Sequence, residues 1–509
     1  MSGERRPSGG THGQNGGYFN GGGRGGAQGG GPRGGNRRGG QQQAPKAWIS
    51  GARLVAYDVL RDVEERDAYA NLALPAKIRA AKLDARDAAL ATELTSGTLR
   101  GQGRYDRIIE IAANRPLADI DPRTRNVLRL GVHQLLSMRV GAHAAVNESV
   151  ELQRRVAVPQ GAGFVNGVLR TVGRADPAEW DDRINDEAAS PDESLAQRSS
   201  HPVWVLRALR AALTAEGRAD ELGALLEADN LPPRVSVAAL PGQGFDADES
   251  TLEHAGLRAS GPSPIGFELA GGDPISAIKA AGAADGTVRV QDQGSQLAAL
   301  LLTRAKPVAP GERWLDLCAG PGGKTALLGA EAALGGATVR ANEVSEHRAD
   351  LVRRAVSAVS AHVDVVSHDG REDEAYGGAD ARFDRILVDA PCSGLGALRR
   401  RPEARWRKQP EELPPLRVLQ AELLTAAARH LADDGVLAYV TCSPHIAETR
   451  TVVDRFLAKH LEFTELDARA IAQREARGEL ELAGEALSVQ LWPHRNGTDA
   501  MFVSLLARR

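Results

Sequence analysis

The chain has 509 residues, of which 42% are apolar and 25% charged, and its net charge is −3. That length suggests about three domains, and the balance excludes a chain that is basic throughout, as generic polyanion binders are. Three cysteines (Cys318, Cys392, Cys442) without a C-x-x-C pair exclude a disulfide scaffold and argue against structural zinc, and no apolar run is long enough for a membrane span or a signal-peptide core, so a reduced, cytoplasmic, metal-free protein is expected.

Residues 1–45 form a regime of their own. Eighteen of the first forty are glycine, and Arg5, Arg6, Arg24, Arg33, Arg37 and Arg38 are spread among them with Tyr18 and Phe19. Such a segment buries too little apolar surface to offset the entropy of ordering, and is expected to be a disordered tail. Two roles stay open for it: weak, sequence-tolerant RNA affinity, or none.

From 46 to 190 the pattern is helical and predicts an all-α bundle. In DPRTRNVLRLGVHQLLSM, Asp121 is placed to cap a helix with Pro122 at its first position, and Leu128, Val132, Leu135 and Leu136 share one face. Further amphipathic runs fall at 52–66, 85–99, 146–156 and 162–173. Residues 191–285 read as a small α+β linker domain, with a helix at 203–216 and a strand at 235–240.

Residues 286–509 alternate short apolar strands with helices. The strands expected at 313–319, 338–344, 363–369, 385–391 and 436–442, with helices at 345–361 and 415–432, predict a Rossmann-like α/β domain with a parallel sheet covered on both faces. The first strand opens into DLCAGPGGKT (316–325), whose ending imitates a phosphate-binding loop. That loop needs glycine five positions before its Gly-Lys pair, and Cys318 stands there instead. Asn342 and Glu343 close the second strand, where an acid can bind ribose hydroxyls, and Asp369 closes the third. The fourth strand ends Asp389-Ala390-Pro391-Cys392-Ser393-Gly394 and the fifth Thr441-Cys442-Ser443. Each cysteine alone reads as a small buried hydrophobe. Two of them at adjacent strand ends, beside a nucleotide-type loop, read as chemistry.

In order, DLCAGPGGKT, NEVSEHRADL, HDGR, DAPCSGLGALRRRPEARW, TCS and WPHRNGTDAMF resemble the motifs of the Nop/Sun family of RNA (cytosine-C5) methyltransferases, which use S-adenosylmethionine. The helical region is similar to the NusB antitermination fold, an RNA-binding bundle. That pairing of domains is the arrangement of the family's small-subunit (16S) ribosomal RNA methyltransferases. The resemblance implies cofactor contacts from Cys318, Ala319, Gly320, Pro321, Gly322, Gly323, Lys324, Glu343, Asp369 and Asp389. It also implies that Cys442 is the nucleophile and that Cys392 assists product release. Thiolate addition at C6 breaks the ring's aromaticity and builds electron density at C5, which is otherwise a poor nucleophile. Asp389 can hydrogen-bond or protonate the cytosine edge, and Lys324 can lower a thiol pKa or contact substrate.

Residues 399–408, RRRPEARWRK, suggest an RNA track of Arg399, Arg400, Arg401, Arg405, Trp406 and Arg407, in which cations meet phosphates and the indole stacks on a base. Two departures from the family pattern stand out. TCSPHIAET replaces the more usual run of Pro-Glu-Glu-Asn after TCS, and Glu343 stands where Asp is more common. The remaining readings are an RNA-binding assembly factor with a vestigial site, a DNA cytosine methyltransferase, and an NTPase. Intact Cys442, Cys392 and Asp389 argue against the first. Cys442 argues against the second, and Cys318 against the third. No feature of the sequence points to an oligomer, and a monomer is expected.

Overall fold

A computed structural model describes residues 49–509, so the expected glycine-rich tail lies outside the described residues. The helical bundle runs from Gly51–Arg66 to Pro177–Glu187. Asp121 caps Pro122–Leu136 as expected, its carboxylate accepting from Thr124 N at 2.9 Å. Leu128 and Val132 are fully buried beside Tyr57 and Trp180, while Leu135 and Leu136 pack at the rim of the same core. The other expected runs appear as Gly51–Arg66, Ala85–Arg100, Ala142–Val156 and Ala162–Val172. Among the described residues no helix is long and apolar enough to cross a membrane.

The middle segment has two parts. Helices Pro191–Arg198, Val203–Ala215 and Leu222–Asn230 share a core with Leu395, Leu398, Trp492 and Ala500, residues far along the chain. The second part is an antiparallel sheet of β1 (Ser236–Ala239), β2 (Leu257–Ala259), β3 (Gly266–Leu269) and β4 (Val288–Val290), in the order β2-β3-β1-β4. The sequence signals only β1 here, because β2 and β4 are three residues each, too short for a period to show. β4 also carries this sheet beyond residue 285, where the linker was expected to end.

The remaining strands are β5 (Arg313–Asp316), β6 (Thr338–Asn342), β7 (Val363–Val366), β8 (Phe383–Asp389), β9 (Leu431–Thr441), β10 (Phe463–Leu466), β11 (Val489–Gln490) and β12 (Phe502–Arg508). They form one sheet in the order β10-β12-β9-β8-β5-β6-β7, with β11 on β12. The five expected strands are parallel, but β12 runs antiparallel to β9 and β10 antiparallel to β12. The sheet is therefore mixed, not wholly parallel. Its central strands are buried on both faces: Leu387 faces one core while Ile386 and Val388 face the other, and Val440 and Tyr439 divide likewise on β9. That two-sided burial explains why these strands read as continuous apolar runs. All five parallel strands end at one edge, where the site lies.

Candidate active site

β5 leaves the sheet at Asp316, and its loop is pinned before Gly323–Gly335 begins. Ala319 N donates to Asn342 O at 2.9 Å, and Gly320 N donates to the Glu343 carboxylate at 3.0 Å. A Cβ on Gly320 would overlap Oε2 of Glu343 and displace that carboxylate, and Gly322 sits at φ +99°, a conformation that favours glycine. Thr325 occupies the place where a phosphate-binding loop keeps a hydroxyl free for a metal. Here it is buried and donates to Asp316 at 2.7 Å. The Walker-type reading fails on geometry as well as on Cys318.

Glu343 is buried, accepts from Ser345 N as well as Gly320 N, and lies 3.3 Å from the Arg348 guanidinium. Neighbouring Asn342 fastens strand ends together, donating to Leu317 O and His368 O and accepting from His368 N. Asp369 is half-buried and held by Arg371, whose hydrogen bonds keep the carboxyl below its ordinary range. Two buried oxygens at this loop, Oδ1 of Asp316 and Oε1 of Gln291, have no hydrogen-bond partner among the described residues. Burial pushes Asp316 up to about 7. The Cys318 thiol is raised well above its ordinary value by burial, consistent with a small loop residue and not a nucleophile.

Cys392 and Cys442 meet at the ends of β8 and β9, with sulfurs 3.5 Å apart. Beside them Lys324 Nζ lies 2.7 Å from Asp389 Oδ2. Burial is the largest influence and opposes the ammonium, but the charge and hydrogen bond of Asp389, with Cys442 and Asp316, together outweigh it, so the Lys324 pKa is raised and the cation persists. The hydrogen bond from Cys392 holds the Cys442 thiol below its ordinary range, with Lys324 acting in the same direction against burial and Asp389. The same bond, then burial, pushes Cys392 well up. The two thiols share one hydrogen bond and titrate as a pair, so loss of the first proton opposes loss of the second.

Two features of this edge were not anticipated. The first is Glu448, fully buried six residues after Cys442, which accepts hydrogen bonds from the serine following each cysteine. The second is a carboxylate pair. Asp292 caps Gln293–Thr303 and accepts from Asp499 N at 3.2 Å, while the Asp499 carboxylate pairs with Arg400 Nε at 3.0 Å. Residues 499–500 are stitched to the cysteine loops: Ala500 N donates to Gly396 O and Gly396 N to Cys442 O, each at 2.9 Å. Asp292 is legible as an N-cap residue by its type, but its partner 207 residues away is not.

Burial first, then the facing Asp499, raises the Asp292 carboxyl from 3.8 to about 6. A carboxyl raised on folding retains a proton that the unfolded chain releases, so its contribution to stability is lost as pH rises from about 4 through about 6. Asp292→Asn keeps a capping oxygen and removes the ionisation. Its melting temperature relative to the unsubstituted chain is expected to be higher at about pH 7.5 than at about pH 4. Thermal denaturation at the two pH values checks this, and an equal difference at both would refute it.

The basic stretch is mostly not a surface track. Arg405 is fully buried and donates to Ser200 O at 2.9 Å, Asn230 Oδ1 at 2.8 Å and Asp229 O at 3.2 Å. Burial lowers its pKa to about 10. This corrects the expected phosphate contact at Arg405: its guanidinium is spent on carbonyl oxygens of the middle segment. Arg407 turns onto Val63 O and lies over the Tyr69 ring, Trp406 packs against Gly103, and Glu403 accepts from Ala70 N at 3.2 Å. These contacts clasp the bundle to the catalytic unit. Arg400 is occupied by Asp499. Arg399, half-buried, donates to Gly497 O, and exposed Arg401 lies over Tyr69. Charge clustering in sequence did not distinguish a clasp from a track, because only the fold supplies the facing carbonyls.

Residues 304–507 match the family description 16S rRNA methyltransferase RsmB/F, and residues 50–174 match the NusB family. A putative methyltransferase of Mycobacterium tuberculosis is 46% identical over 458 residues, covering 90% of this chain and 96% of the relative. Ribosomal RNA small subunit methyltransferase B of Pseudomonas putida is 34% identical, covering 85% of this chain and 95% of its own length. The crystal structure of PH0851 superposes with a TM-score of 0.71 at 21% identity, covering 90% of this chain and 98% of that one, a likeness of fold.

Proposed function

We propose that this chain, which belongs to the RsmB/F family of 16S rRNA methyltransferases and carries a NusB-family domain ahead of its catalytic domain, methylates cytosine C5 in small-subunit ribosomal RNA through a covalent enzyme–RNA adduct. The observation that carries the reading is the pair of sulfurs 3.5 Å apart at adjacent strand ends, flanked by the Lys324–Asp389 ion pair.

The donor loop 318–324 fits S-adenosylmethionine. Gly320 and Gly322 let the loop pack closely on Glu343 and on Ala355 and Val352, the buried Glu343 carboxylate suits ribose hydroxyls, and Asp369 and Asp389 line the neighbouring strand ends. When bound, the cofactor supplies an electrophilic methyl group. The protein's own residues do the rest. Cys442, its thiol held below the ordinary range by the hydrogen bond it shares with Cys392, adds as the thiolate through sulfur to C6, and the electron pair of the C5–C6 double bond becomes available at C5. Asp389, oriented by Lys324, faces the cytosine edge and stabilises charge as it develops. After methylation the C5 proton passes to water, the C5–C6 double bond re-forms, and the S–C6 pair returns to Cys442 as thiolate. Cys392 remains a thiol and donates to that departing sulfur, which assists release. The target base must leave its stack to reach the thiolate.

Purified protein incubated with methyl-labelled S-adenosylmethionine and unmodified small-subunit ribosomal RNA is expected to yield 5-methylcytidine on nucleoside analysis. Label in a different nucleoside would overturn the C5 assignment. RNA binding with no label in ribosomal or transfer RNA would favour an assembly role without catalysis.

A further inference from the structure

Glu448 is a buried carboxylate in an unusual setting. Its Oε1 accepts from Ser393 N at 2.8 Å and Gln420 Nε2 at 3.2 Å, and its Oε2 accepts from Ser443 Oγ at 2.7 Å and from Ser393 Oγ. All four donors are neutral. Burying a carboxylate on neutral donors alone is costly, and an apolar contact would hold two loops together at lower cost. The donors are not scattered. Ser393 follows Cys392 and Ser443 follows Cys442, and the two hydroxyls lie 3.0 Å apart. Gln420 also donates to Pro391 O at 2.9 Å, the residue before Cys392. Behind the carboxylate, Tyr439 on β9 donates its hydroxyl to Glu448 O at 2.7 Å, so the backbone of Glu448 is anchored to the strand that delivers Cys442.

We propose that Glu448 is a positioning residue for the two-cysteine reaction: by gripping the residue after each cysteine it fixes the separation of the two sulfurs, so that Cys392 can donate to Cys442 whenever Cys442 carries the electron pair. The proposal rests on the function proposed above. It needs no contact between Glu448 and RNA. The carboxylate acts through Ser393 and Ser443, and its loss lets the loops drift apart while leaving both thiols and the donor loop in place.

The test compares Glu448→Ala, Glu448→Gln and Ser443→Ala with Cys392→Ala and the unsubstituted chain, after circular dichroism has shown each to be folded. Ser443→Ala unties only the Cys442 side and keeps the experiment decisive if Glu448→Ala does not fold. In Glu448→Ala and Ser443→Ala, kcat is expected to fall about 10-fold or more, with KM for RNA and for S-adenosylmethionine within about 2-fold. A denaturant-stable RNA adduct should accumulate as it does in Cys392→Ala. The pH midpoint for iodoacetamide alkylation of Cys442, followed by peptide mass spectrometry, should move up. Glu448→Gln, whose amide keeps one acceptor and to which the serine hydroxyls can reorient, should recover part of each. If Cys392→Ala traps adduct while folded Glu448→Ala and Ser443→Ala show neither adduct nor a shifted midpoint, the positioning role is wrong and the two-cysteine reading stands. If Cys392→Ala traps nothing, the reading beneath it fails first.

Discussion

Cys442→Ala is expected to lower methyl transfer to RNA by roughly three orders of magnitude or more, because it removes the nucleophile that forms the adduct. Cys392→Ala should give a different failure. Release of the adduct lacks its donor, so a denaturant-stable RNA–protein species should accumulate on gels while turnover falls. The pH dependence separates the roles further. In the unsubstituted chain the rising limb of kcat/KM should lie below the ordinary thiol value of 9.0, since the hydrogen bond from Cys392 holds Cys442 down. Removing Cys392 should move the alkylation midpoint of Cys442 upward. Full activity in Cys442→Ala would exclude this cysteine as the nucleophile, and adduct in Cys442→Ala instead of Cys392→Ala would reverse the two assignments.

Arg405→Ala is expected to be the most damaging change within the basic stretch, and to act on stability. The substitution leaves the carbonyls of Ser200 and Asp229 and the Asn230 side chain without their buried charged donor. A loss of roughly 3 kcal/mol in unfolding free energy should follow, measured by chemical denaturation. Arg401→Ala, on an exposed side chain, should stay within about 0.5 kcal/mol. If a cation here meets phosphate, Arg401 and Arg399 are the candidates, and their loss should reduce the salt dependence of RNA binding. An Arg405→Ala protein of unchanged stability and weakened RNA affinity would restore the track reading and remove the clasp.

The sequence by itself determined the order of the catalytic strands along the chain, the placement of both cysteines at strand ends, and the helical bundle ahead of them. Strands β5 to β9 were legible because burial on both faces makes them apolar throughout, and Asp121 was legible because capping is local chemistry within four residues. DLCAGPGGKT could be separated from a phosphate loop by one position, Cys318. The tertiary structure decided what depends on partners distant in sequence. Antiparallel β12 and β10 extend the sheet because β12 pairs with β9, about sixty residues earlier, and no local pattern encodes that pairing. Nothing local in the sequence marks Glu448, because the fold brings Ser393 to it from 55 residues away. Arg405 looked like a phosphate ligand until the middle segment, more than 170 residues earlier, covered it with carbonyl oxygens. A side chain's chemical type is written in the sequence. Whether its charge meets solvent, RNA or another part of the same chain is set by which surfaces the folded chain brings against it.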